Sequence, residues 1–100
     1  MTIVCGTDFS NASREAASVA ASLARRRAEP LLLVHSAPYA GFDHEKLQAS
    51  IEAEASALRT AGLLVSTELR FGWPDEDIDE VAEAANASLI VLGAVGHRAG

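Results

Sequence analysis

The stretch Ala87-Ser88-Leu89-Ile90-Val91-Leu92-Gly93-Ala94-Val95-Gly96-His97-Arg98-Ala99-Gly100 decides how the rest of the chain is read. Leu89 to Leu92 is an unbroken aliphatic run with no polar alternation. Such a run between turn residues predicts a strand buried on both faces, as parallel sheets require of their interior strands. It stops at Gly93, and a second glycine follows at Gly96. Open α/β sheets bind ligands at the carboxyl ends of their strands, so a glycine loop there is a candidate binding loop.

Outward from this run, the same logic finds three more strands. Thr2 to Cys5 is short, apolar and rich in β-branched residues, which predicts a buried first strand. Leu31 to His35 is a second continuous run, hence a second interior strand. From Leu63 to Phe71 the pattern changes: Leu63, Val65, Thr67, Leu69 and Phe71 share one face, and Ser66, Glu68 and Arg70 the other. Period-two alternation predicts a more exposed strand at a sheet edge.

Helical spacing fills the gaps. Ser10 or Asn11 is a suitable N-cap for a helix running to about Arg27, with Ala16, Val19, Ala20 and Leu23 on its core stripe. Arg25, Arg26 and Arg27 fall in its last turn, where cations suit the helix dipole. A second helix is expected from Asp43 to Ala61, with Leu47, Ile51, Ala55 and Leu58 inward and Gly62 as its stop. Pro74 and the carboxylates Asp75, Glu76 and Asp77 open a third, whose stripe is Ile78, Val81, Ala82 and Ala85. Trp73 is expected to pack over the sheet edge. The order β-α-β-α-β-α-β predicts the α/β class: an open parallel sheet with flanking helices and right-handed crossovers.

Composition bounds the function. One hundred residues, 49% of them hydrophobic, make one domain with ample core. The net charge of −6 and the scattered Lys and Arg argue against a nucleic-acid partner. No apolar run approaches the roughly 20 residues that span a bilayer, so no membrane partner is expected. The start lacks a basic n-region and a cleavage signature. A lone cysteine, Cys5, gives no internal disulfide. The expected location is the cytoplasm.

Two loops follow buried strands, Gly6 to Asn11 and Gly93 to Gly100. If the first and fourth strands are neighbours and the sheet reverses its direction of growth there, both loops flank one crevice. Gly93 and Gly96 let the backbone approach a ligand closely, and successive N–H groups can cradle a phosphate. His97 and Arg98 add donors, and Arg98 suits phosphate oxygens. By themselves the two glycines read equally well as a strand end and a turn. Asp8 can accept hydrogen bonds from a ribose or base, or bond its own turn at a helix start. His35 reads as a satisfied imidazole, and Cys5 as a small core residue. Asp43-His44-Glu45 reads as a helix start. Zinc-type spacing, a nucleophile elbow, a P-loop and a G-x-G-x-x-G are all absent, so neither catalytic nor metal-ligating residues are assigned.

Taken in order, several pieces resemble the universal stress protein family. They are Ile3-Val4-Cys5-Gly6-Thr7-Asp8-Phe9-Ser10, the strand Leu31 to His35, Gly72-Trp73-Pro74 with Ile78 and Ala82, and Ala87 to Gly93 with Gly96. The resemblance covers the whole chain and implies an adenine nucleotide alpha hydrolase-like sheet ordered 3-2-1-4-5. This chain is expected to carry 3-2-1-4, as a partial domain over residues 1–100 without the last helix and fifth strand. It also implies ATP, with Mg2+, as a ligand, an adenine nucleotide held in the cytoplasm, and homodimers. ATP-binding members carry G-x-x-G, nine residues, then Gly with Ser or Thr. Gly93 and Gly96 match the first half, and the second would fall beyond Gly100. Carried over, Thr7 and Asp8 sit at the adenosine end and Ser36 near the base. Gly93 and Gly96 approach the ribose and phosphates, beside His97 and Arg98. The expected function is a nucleotide-binding stress-response module. The alternatives are a non-nucleotide interaction protein that dimerises and a slow ATP hydrolase.

Overall fold

The first strand, β1 (Thr2–Gly6), lies inside the sheet because both its faces are apolar. It pairs in parallel with β2 (Leu31–Ala37) on one side and β4 (Ala87–Val91) on the other. β3 (Val65–Phe71) pairs in parallel with β2, giving the strand order β3-β2-β1-β4. This computed structural model describes residues 1–37, 43–59 and 62–93. The order is the one the sequence led us to expect, with the alternating strand at one edge.

Strand alternation divides the core into two layers. Ile3, Cys5, Leu31 and Leu33 face α1 (Asn11–Arg27) and α2 (His44–Leu58), against Ala17, Ala20, Ala21, Ala24, Ile51 and Ala55. Val4 and Val34 face α3 (Pro74–Ala84), against Ile78, Val81 and Ala82. Each large side chain so buried contributes about 1.5–3 kcal/mol. The layers therefore fix which way β1 faces, since a slip of one residue would exchange them.

α1 starts where Ser10 caps it, its hydroxyl accepting from Ser13 N at 3.2 Å. It ends at Ala28, in the left-handed region at φ 55°. Its buried face differs from the expected stripe. Ser13, Ala17, Ala20, Ala21 and Ala24 are buried, whereas Val19 is 57% exposed. Small residues let the helix axis come close to the sheet, and that outweighs the larger apolar area of Val19.

Other boundaries shift for local reasons. α2 ends at Leu58 rather than Ala61, because Arg59 turns extended and donates twice to Val65 O, from Nε at 3.1 Å and Nη2 at 2.8 Å. Gly62 is therefore a loop residue with φ 88°, not the helix stop. Trp73 lies at the N-cap of α3 and is 74% exposed, not packed over the sheet. Among the described residues β4 lies at the sheet edge, and its run is not buried on both faces: Ile90 is 40% and Leu92 57% exposed. Among the described residues no helix is long and apolar enough to cross a membrane.

Candidate functional site

From β1, the sheet grows toward β2 on one side and toward β4 on the other, so the chain leaves β1 and β4 on opposite walls of a crevice. An open cleft of about 1280 Å³ occupies this point. Gly6, Thr7, Asp8, Ser10 and Ser13 line one side, His35 and Ser36 the floor, and Ile90, Leu92 and Gly93 the other side. Pro74, Asp75, Ile78 and Asp79 of α3 complete it.

Four residues singled out from the sequence thus meet in one place: Thr7, Asp8, Ser36 and Gly93. Gly96, His97 and Arg98 lie outside the described residues. A side chain at Gly93 would be crowded by backbone. A Cβ on it would stand 3.1 Å from Ser13 Cα and Ser13 N and 3.3 Å from Ala12 C, all backbone atoms of the first turn of α1. The end of β4 thus rests against the start of α1 without a side chain between them.

Asp8 carries the first wall's exposed charge. The Ser10 hydroxyl and the Ser10 N–H both hold its carboxyl below the usual value, the backbone bond measuring 2.9 Å to Oδ1. Its side chain therefore does what a helix-start residue does, and the residue also lines the cleft. Phe9 follows at φ 66°, a left-handed conformation that costs a residue with a Cβ roughly 1–2 kcal/mol. Contacts on both sides hold it there. Its N–H donates to Thr7 Oγ1 at 3.1 Å, and its ring lies 4.4 Å from the His35 ring.

Thr7 is buried and engaged at every polar atom. Its N–H donates to Val34 O at 2.8 Å, and its carbonyl accepts from His35 Nδ1 at 2.8 Å. A carbonyl only accepts, so this contact assigns the His35 proton to Nδ1. The Thr7 hydroxyl meets both carboxylate oxygens of Glu54, at 3.0 and 3.1 Å. Ser36 donates to Asp77 Oδ2 at 2.6 Å, tying the end of β2 to the first turn of α3. Cys5 lies behind the cleft, fully buried. Burial, and then the negative charge of Glu54, push its thiol up to about 12.

His35, Glu54 and Asp79 carried no motif in the sequence. A histidine at the end of an apolar strand was visible, but its partner is 28 residues away. Glu54 was hidden among the polar residues of α2. The described lining holds the carboxylates of Asp8, Asp75 and Asp79 and no Lys or Arg. Among the described residues no three His, Cys, Asp or Glu are grouped to hold a metal ion.

The model of the universal stress protein family matches residues 1–100. Among solved structures, the universal stress protein of Archaeoglobus fulgidus superposes with a TM-score of 0.80 at 28% identity, over 92% of this chain and 74% of that one. A Mycobacterium tuberculosis H37Rv protein gives 0.78 at 24%, over 94% and 71%. A universal stress protein in complex with cAMP gives 0.82 at 22%, over 96% and 77%. No curated protein matches the chain.

Proposed function

The chain belongs to the universal stress protein family, and on that premise we propose that it is an adenine-nucleotide-binding module acting through ligand-dependent conformation or partners rather than fast turnover. The observation that carries this reading is the cleft at the reversal of strand order, with Asp8 on one wall and the Cβ-free Gly93 on the other. Asp8 accepts from the ribose, and Ser36 lies toward the base. Gly93 leads the chain into the segment with Gly96, His97 and Arg98, which meets the phosphates. The fold neighbour solved with cAMP makes adenine nucleotides the first ligands to try.

The acidic lining adds a condition. Asp8, Asp75 and Asp79 repel a bare triphosphate, so ATP should bind as its Mg2+ complex, while adenosine should be indifferent to Mg2+. Calorimetric titration with adenosine, cAMP, ATP and ATP with Mg2+ tests this. Saturable binding of at least one is expected, weakened by Asp8→Asn. No binding of any at millimolar concentration refutes the nucleotide reading.

A second reading, an interaction protein that dimerises, is favoured by the edge of β4, which no strand among the described residues pairs, and by the exposure of Ile90 and Leu92. Sedimentation of the chain without nucleotide separates the two. A tight dimer indifferent to nucleotide supports this reading, and a monomer that binds nucleotide removes it.

A further inference from the structure

Glu54 stands in an unusual place for a carboxylate. It follows Ile51 by one helical turn and precedes Ala55, both fully buried, so it lies beside the core-facing stripe of α2. Among the described residues its carboxylate bonds no cation. Both oxygens meet one hydroxyl, that of Thr7, across 47 positions of sequence. A half-buried carboxylate is costly unless its hydrogen bonds are made.

We infer that Glu54 is a positioning residue for the nucleotide cleft, acting through Thr7 to hold the turn that presents Asp8. The inference rests on the nucleotide reading of that cleft. The direction of the relay follows from the donors available. The Thr7 hydroxyl has one proton, and an ionised Glu54 only accepts, so the proton points to Glu54. Its lone pairs are then aimed the other way, toward Phe9 N–H at 3.1 Å. Ser13 Oγ, 3.1 Å from Thr7 Oγ1, finds its own acceptor in Ser10 O at 3.0 Å. Asp8 sits between the two residues so fixed, with its N–H 3.3 Å from Ser13 Oγ. Glu54 thus sets the rotamer of Thr7, Thr7 holds Phe9 in its left-handed conformation, and the peptide units on either side of Asp8 take a single orientation. Glu54 touches no ligand in this arrangement.

The test compares Glu54→Ala, Glu54→Gln, Thr7→Val and Thr7→Ser in two measurements. The first is amide exchange at Phe9 by NMR in the nucleotide-free chain, with Ala20 in the middle of α1 as reference. Glu54→Ala and Thr7→Val should speed exchange at Phe9 about tenfold or more relative to Ala20, as expected for loosening or losing the bond from Phe9 N–H to the Thr7 hydroxyl. Glu54→Gln, whose amide oxygen still accepts the Thr7 proton, and Thr7→Ser should retain most of the protection. The second measurement is nucleotide affinity, which should fall about tenfold in Glu54→Ala and be non-additive with Asp8→Asn. Unchanged Phe9 exchange in both Glu54→Ala and Thr7→Val overturns the inference. So does wild-type affinity in a folded Glu54→Ala chain. If the wild-type chain binds no nucleotide, the proposed function falls, while the exchange experiment still decides whether Glu54 orders the turn.

Discussion

Replacing Gly93 by alanine should destabilise the protein more than replacing Gly6, although the closest contacts suggest the reverse. The new Cβ at Gly6 would meet Leu92 Cδ2 at 2.7 Å and Ile78 Cδ1 at 2.9 Å. At Gly93 the nearest atoms are farther, Ser13 Cα and N at 3.1 Å and Ala12 C at 3.3 Å. What differs is whether the neighbour can yield. Leu92 and Ile78 offer the ends of side chains that change rotamer. Leu92 is already 57% exposed, so its movement removes little buried area. Ser13 and Ala12 offer the backbone of a capped helix start, which moves only if α1 or the end of β4 moves. Neither glycine has a left-handed φ, so backbone strain does not enter. Overpacking of this second kind costs about 1–3 kcal/mol. Loss of glycine's freedom in the unfolded chain returns roughly 0.4–1 kcal/mol in both variants. Gly6→Ala should therefore lie near neutral and Gly93→Ala should lose net stability. At about 4–8 °C per kcal/mol for a domain of this size, the two melting temperatures should be readily separated. Thermal and urea unfolding of both variants give the comparison. Gly93→Ala as stable as wild type, or less harmful than Gly6→Ala, would show that β4 does not rest on α1 as described.

Other tests address separate parts of the molecule. The Cys5 thiol, pushed up to about 12 by burial, should resist thiol reagents at pH 8 in the folded chain and react on unfolding. Because its folded value lies above the ordinary thiol value of 9.0, its contribution to stability is fully present below about pH 9 and is lost as the pH rises toward 12; Cys5→Ala should flatten that alkaline limb. Asp8 works in the opposite direction. Its lowered value contributes stability above the ordinary carboxyl value of 3.8 that is lost as the pH falls through the folded value, so Asp8→Asn should blunt acid unfolding. Ser10→Ala should cost about 1 kcal/mol by uncapping α1, and Ser10→Asp should not. Val19→Lys should change stability by no more than about 0.5 kcal/mol, whereas Ala20→Leu should overpack the sheet face by about 1–3 kcal/mol.

The contrast between Val19 and Ala20 shows what the sequence could and could not say. Continuous aliphatic runs at Thr2–Cys5 and Leu31–His35 marked interior strands, and alternation from Leu63 marked an edge, because burial on two faces or one leaves different periods. The inward face of α1 was misread by one position. Alanine surrounds that helix, so its apolar content hardly varies with direction, and the face was decided by how near the axis must come to the sheet. β4 looked interior by composition, yet being interior also requires a neighbour on its far side, which no local pattern records. The same limit applied to the cleft. Asp8, Ser36 and Gly93 sit at strand ends, where position alone suggests chemistry. His35 and Glu54 act by reaching Thr7 across 28 and 47 residues, and nothing near them in sequence announces a partner.

The pairing of β1 with β4 also sets an order of events during synthesis. Thr2 faces Ala87 in that ladder, about 85 positions later in the chain. At translation rates of roughly 5–20 residues per second, the first strand waits on the order of 4–17 seconds for its second neighbour. β2 and β3 can join it sooner. Until β4 emerges, Val4 and Gly6 have an open flank, and one wall of the cleft does not exist. A nascent chain is therefore blind to any molecule that needs both walls. Occupancy of the cleft therefore reports that β4 has already docked on β1, and a ligand there would act after that step rather than before it.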